Sequence, residues 1–167
     1  MDLIIENGTI VASANSYITV AEATAFAAAR GVTLPGDDAT KVLVIKAMDW
    51  LESLYLRYQG SLVSETQELQ WPRKDVVLHG TAFSTTAIPK ALRNAQCQVI
   101  MDLFSGIDPQ ANFTATPAII KEKVDVLETT YSEITQDSIP YLRKALDFLQ
   151  PLFGTVTLGG VYFATRV

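Results

Sequence analysis

The chain has one cysteine, Cys97, and one histidine, His79, among its 167 residues. A single cysteine excludes an intrachain disulfide and any metal site that needs several cysteines of one chain. Because Cys97 sits in a helical apolar pattern, it reads as a buried structural thiol. With one imidazole, the usual proton carrier of acid–base catalysis is confined to a single position, beside Gly80 in a long loop, where a solvated or hydrogen-bonded side chain is the plain expectation. Gly-x-Ser-x-Gly, the P-loop, His-Glu-x-x-His and the dinucleotide glycine fingerprint are all missing. The carboxylate pairs Asp37–Asp38 and Asp49–Glu52 fit a helix cap and a solvated helix face. The residues therefore argue against an enzyme and imply no cofactor and no metal. A small enzyme built around His79 is the third-ranked reading.

Long apolar runs are also lacking. None approaches the ~20 residues needed to cross a bilayer, and Met1–Glu6 has neither a basic start nor a small-residue cleavage site. The expectation is a soluble protein made in a cytoplasm, with no membrane partner. Charge is sparse at 19%, and the net value is −5. Residues 1–84 hold ten acids and six bases, and residues 85–167 hold eight and seven. No run of lysine and arginine marks a nucleic-acid grip. An acidic balance does suit a wall past which DNA slides.

What is present is a succession of helical signals. Asn7-Gly8 suggests a small hairpin near the start. Thr19-Val-Ala-Glu22 is a capping box opening a helix that runs to Arg30, closed by Gly31. Pro35-Gly36-Asp37-Asp38 turns into a second helix, 39 to about 58, whose aspartates can cap it. Its stripe Leu43, Ala47, Trp50 or Leu51, Leu54 and Tyr58, widened by Val42, Ile45 and Met48, predicts the central helix. Gly60 ends it. A third helix opens at Ile88-Pro89, carries Leu92, Ala95, Val99 and Leu103, and stops at Gly106. A fourth opens at Ser138-Ile139-Pro140 with Leu142, Ala145, Leu146 and Leu149, and is ended by Pro151 and Gly154.

Between these helices lie two unusual stretches. The loop 60–87 is longer than compact domains normally leave unanchored. In it, Leu69-Gln70-Trp71-Pro72-Arg73 holds Trp71 in extended geometry, because the following proline disfavours the helical region. Trp71 and Arg73 fit an anchor on the chain's own domain and a protein–protein hot spot equally well. Tyr55, Tyr58 and Trp71 could stack bases, although aromatics at helical spacing more often belong to a core. Residues 119–133 read as one long strand, or two broken near Asp125, with few partners elsewhere in the chain. Beyond Gly154, Thr155–Val167 is an apolar ribbon with one charge, Arg166. Its composition suits docking on its own domain or strand addition to a neighbour.

The order Ala14-Asn-Ser-Tyr-Ile-Thr19 with Ala21-Glu-Ala23, then Thr66-Gln-Glu-Leu-Gln-Trp-Pro-Arg73, Ile88-Pro89 and the Lys-Glu-Lys-Val…Leu-Glu-Thr-Thr-Tyr strand, resembles tailed-bacteriophage head–tail connector proteins. These are also called adaptor or head-completion proteins, and some members carry the label DnaT-like single-stranded-DNA-binding protein. The resemblance spans residues 14 to about 150. It implies a mainly α, connector-like fold, in keeping with the small four-helix domain (1–154) and the strand or β-hairpin insertion at 119–133 read above; the extended docking tail at 155–167 lies outside the resemblance and rests on its own composition. The function it implies is a structural virion protein at the neck, a homo-oligomeric, typically dodecameric ring. Such a ring would bind the portal and the tail or its terminator and stopper proteins, and would pass genomic DNA through its lumen.

On that reading Val124, Val126, Leu127 and Tyr131 pair ring subunits. Leu158, Val161, Tyr162, Phe163 and Arg166 dock on the portal or an adjacent subunit, and Trp71 and Arg73 anchor the long loop at a subunit boundary. The alternative function, from the family's other label, is a single-stranded-DNA-binding replication protein.

Overall fold

The computed structural model describes residues 2–110, 120–124, 127–131 and 142–154, with the backbone alone given for 120–124 and 127–131. The described part is mainly helical: α1 (Val20–Ala28), α2 (Asp37–Ser53), α3 (Lys90–Phe104) and α4 (Arg143–Leu149). Short antiparallel pairs join β1 (Ser61–Leu62) to β2 (Arg73–Lys74), β3 (Val77–Leu78) to β4 (Thr81–Ala82), and β5 (Ile120–Val124) to β6 (Leu127–Tyr131).

The capping box forms as its spacing dictates. Thr19 N donates to the Glu22 carboxylate at 2.8 Å, and Glu22 N donates to Thr19 Oγ1 at 3.2 Å. Helix α1 stops at Ala28, two residues short of Arg30, and the amides of Gly31 and Val32 return to the carbonyls of Ala28 and Ala27. Helix α2 begins at Asp37 behind an N-cap Gly36 that offers no side chain. Asp37 and Asp38 therefore lie inside the first turn, where their charge favours the helix N-terminus, and do not cap it. The helix also ends earlier than its apolar stripe suggests. Tyr55–Arg57 tightens into a 3₁₀ turn, and Tyr58 is extended, so that its ring returns to the core with its hydroxyl on Leu51 O at 3.1 Å. Val42 is 56% exposed, outside the buried face.

The central helix is α3, not α2. It packs against α1, α2 and α4, and every residue from Ala95 to Ile100 is buried. Two of these are glutamines. Gln96 Oε1 accepts from Tyr17 N at 3.2 Å, and Gln96 Nε2 donates to Ser16 Oγ at 3.0 Å. Gln98 Nε2 donates to Asp102 Oδ1 at 2.9 Å. An amide in the middle of a core is tolerated because its hydrogen-bonding atoms find partners there. Leu51, Leu92, Val99, Ile100, Leu149 and Leu152 close around it.

No hairpin forms at Asn7-Gly8. Glu6, 3% exposed, instead turns its carboxylate inward to gather the amides of Gly8 (2.7 Å), Ile10 (3.1 Å) and Val11 (2.8 Å). Gly8 has φ +104°, and a β-carbon there would meet Thr86 O at 2.3 Å, so the backbone contact demands glycine. The segment joins the body through a parallel bridge between Ile5 and Ser16.

The strand at 119–133 is two strands. Val124 pairs with Leu127 and Ile120 with Tyr131, on either side of residues 125–126. Its hydrogen-bonding partner is therefore its own second half, and the expectation that partners are scarce within the chain is corrected: the break near Asp125 lets the ribbon fold on itself. The start of the fourth helix at residues 138–140, Val126, and the tail residues Leu158, Val161, Tyr162, Phe163 and Arg166 lie outside the described residues.

Candidate functional site

The loop candidates Trp71 and Arg73 come together inside the protein. Trp71 is fully buried, edge-on to the rings of Tyr58 (5.9 Å) and Phe83 (6.3 Å), and the Trp71–Pro72 peptide is cis. Trp71 N donates to the Tyr17 hydroxyl at 3.1 Å, which itself donates to Glu52 at 3.1 Å. The same Glu52 carboxylate receives Gln70 N. Burial pushes the Glu52 carboxyl above its ordinary range, opposed by these hydrogen bonds. Burial and the Glu52 charge likewise raise the Tyr17 phenol.

Arg73, 7% exposed, spends its guanidinium on carbonyls: Nε on Gln59 O at 2.8 Å, Nη2 on Gly60 O at 2.9 Å, and Nη1 on Gln70. This cluster straps the long loop to α2. With Trp71 enclosed, its ring faces are not available to bases in this conformation. His79 stands at the exposed tip of the β3–β4 turn with φ +51°, followed by Gly80 at φ +79°. Both residues take the left-handed conformation a two-residue hairpin turn needs.

The surface offers a different arrangement, along α1 where it meets α3 and α4. Arg30, beyond the end of α1, lays its guanidinium 3.3 Å over the Phe26 ring and donates to Phe26 O at 2.9 Å. The Phe148 ring meets Phe26 edge-on at 6.4 Å. A groove of 740 Å³ that takes in one ring of this pair is lined by Arg30, Gln98, Met101, Lys144, Asp147 and Phe148 among others. A second groove, of 430 Å³, takes in the other ring of the pair and is lined by Phe26, Lys90, Arg93, Asn94, Cys97 and Glu22 among others.

Four cations, Lys90, Arg93, Arg30 and Lys144, thus border the grooves, against two carboxylates, Glu22 and Asp147. Glu22 is paired with Arg93, and Asp147 lies 3.7 Å from the exposed Arg143. The chain as a whole carries −5, so this face opposes the overall charge. Asp102, the partner of the groove residue Gln98, has its carboxyl raised by burial, with the Gln98 hydrogen bond and the Lys144 charge opposing the rise. Cys97 is buried at the groove floor, and its thiol is pushed up to about 12, chiefly by burial, so it is not a nucleophile at neutral pH.

Chemically, the face pairs flat apolar groups with fixed positive charge. It can hold a polyanion whose flat groups stack while its backbone meets cations. Sequence reasoning missed it because its cations come from three separate segments: Arg30 after α1, Lys90 and Arg93 on α3, and Lys144 on α4. Their shared face exists only once the helices pack. The sole local signal was Phe26 four residues before Arg30, the spacing that puts a side chain one helical turn above another. Among the described residues no group of three or more His, Cys, Asp and Glu is placed to hold a metal, and no helix is long and apolar enough to cross a membrane.

A family model described as "Putative DnaT-like ssDNA binding protein" matches residues 1–167. No curated protein and no solved structure matches. The family match favours the single-stranded-DNA expectation and lends no support to the head–tail connector identity.

Proposed function

The chain belongs to the family of DnaT-like ssDNA-binding proteins, and on that premise we propose that it binds single-stranded DNA on the α1–α3–α4 face. The observation that carries the reading is the line of Lys90, Arg93, Arg30 and Lys144 flanking the Phe26–Phe148 pair on an otherwise acidic chain. Phosphates contact the cations. A base stacks on the outer plane of the Arg30 guanidinium, which Phe26 backs from beneath, since guanidinium planes and aromatic rings accept any base. The acidic remainder of the surface limits contact to this strip and keeps affinity modest.

Fluorescence anisotropy with a labelled oligothymidylate tests this. Each phosphate contact adds about 0.7 to the steepness with which log K falls against log salt. The Arg30→Glu, Lys144→Glu double variant is therefore expected to lower that slope by about 1.4 while its thermal unfolding stays that of the wild type. Absence of binding by the wild type at low salt, or an unchanged slope in the double variant, overturns the proposal.

A second reading, the ring-forming head–tail adaptor, is favoured by one observation. Among the described residues β5 and β6 pair only with each other, and a two-stranded ribbon is marginal in water unless something covers or extends it. On this reading Val124, Leu127 and Tyr131 contribute to subunit pairing. Mass photometry that finds only monomer, with and without portal particles, would count against it.

A further inference from the structure

After α4 the chain turns through the 3₁₀ segment Gln150–Leu152 and runs alongside the stretch that follows α2. Tyr58 and Phe153 form an antiparallel bridge. Gln59 N donates to Leu152 O at 3.0 Å, and Gly154 N donates to Arg57 O at 2.8 Å. The Arg57 guanidinium covers the Phe153 ring at 4.2 Å. Residues 152–154 are thereby laid antiparallel on 57–59, which sets Gly154 opposite Arg57, the residue that follows Tyr55 and Leu56.

Three large apolar side chains stand in solvent around this exit: Leu56 is 77% exposed, Val77 53% and Tyr55 52%. Val77 is drawn to the same place by Gln59, whose Oε1 accepts from Val77 N at 3.1 Å while its Nε2 donates to Pro151 O at 2.8 Å. Single exposed apolar residues need no explanation. Three gathered where the chain continues into Thr155–Val167 do, because that segment holds Val156, Leu158, Val161, Tyr162, Phe163 and Val167 with one charge, Arg166.

We infer that residues 155–167 dock on the surface formed by Tyr55, Leu56 and Val77 of their own chain. The antiparallel exit delivers the segment there. Covalent attachment at Gly154 raises its local concentration to the millimolar range, far above that of a second copy. This inference is independent of the DNA-binding reading, since the patch shares no residue with the α1–α3–α4 face.

Limited chymotrypsin digestion of the full chain, followed by mass spectrometry, tests it. Cleavage after Tyr162 and Phe163 is expected to be slow, and to accelerate about tenfold in Leu56→Glu, as loss of one buried leucine contact allows. Leu56 is 77% exposed on the body, so the helical content read by far-ultraviolet circular dichroism should stay unchanged. The Val42→Glu variant, altered at an exposed α2 position elsewhere, should cleave as the wild type does, and the wild-type rate should not change on dilution. Equal rates in wild type and Leu56→Glu overturn the inference. So does acceleration by Val42→Glu, or protection that disappears on dilution, which would assign the segment to a second copy.

Discussion

Replacing Gln96 by leucine separates two accounts of the core. If α3 is held by Leu92, Ala95 and Val99 alone, a leucine at a fully buried neighbouring position adds apolar burial and should be neutral or stabilising. The structure gives the opposite sign. Gln96 Oε1 is the acceptor for Tyr17 N, and Gln96 Nε2 is a donor to Ser16 Oγ. Ser16 Oγ keeps two other bonds, to Ile18 O and from Ile18 N, so its loss is small. Tyr17 is 2% exposed, so its amide would be left without a partner and without water.

An orphaned buried donor costs about 1–3 kcal/mol. The extra apolar burial of leucine offsets part of this, which leaves a net loss of about 1–2 kcal/mol. For a domain whose whole stability is of the order of 5–15 kcal/mol, that is readily measured. Urea unfolding followed by Trp fluorescence should show a lower midpoint at unchanged m-value. A Gln96→Leu variant as stable as the wild type, or more so, would refute the claim that the amide holds the 16–18 turn onto α3.

Trp71→Ala removes a fully buried ring that touches Tyr58 and Phe83. It is expected to cost about 3–5 kcal/mol in chemical denaturation; a cost below about 1 kcal/mol would place the ring outside the core. Any loss of DNA binding in that variant therefore reports unfolding and cannot identify a stacking site. Glu52 supplies a pH signature. Burial raises its folded carboxyl above the ordinary 4.5, so between the two values the native state binds more protons than the unfolded one. Its contribution is greatest below about 4.5 and is lost as pH rises through the folded value. Glu52→Gln should flatten that part of the stability–pH curve, and identical curves for the two proteins would contradict the assignment.

Much of the helical frame is legible in the chain. The Thr19–Glu22 box, Pro89 ahead of α3, and Gly31 and Gly106 past the ends of α1 and α3 act through the nearest few residues, so their effect survives without knowledge of the rest. The ranking of the helices is not legible, because Gln96 and Gln98 look like surface residues until Tyr17, Ser16 and Asp102 supply their partners. The same holds for Glu6, whose burial depends on three amides within five residues that no hydropathy pattern reveals. It also holds for Asn7-Gly8, where contact with Thr86 across the fold overrides the local preference for a hairpin.

For function the division is sharper. By itself the sequence determined a mainly helical chain with a β insertion and family membership along its whole length. Only the tertiary structure decided that Trp71 lies inside the protein and that four cations from three distant segments border one aromatic pair. Local signals depend on neighbours a turn away, which the sequence states outright. A binding face depends on which helix surfaces meet, and that is set by the packing of buried side chains as a whole.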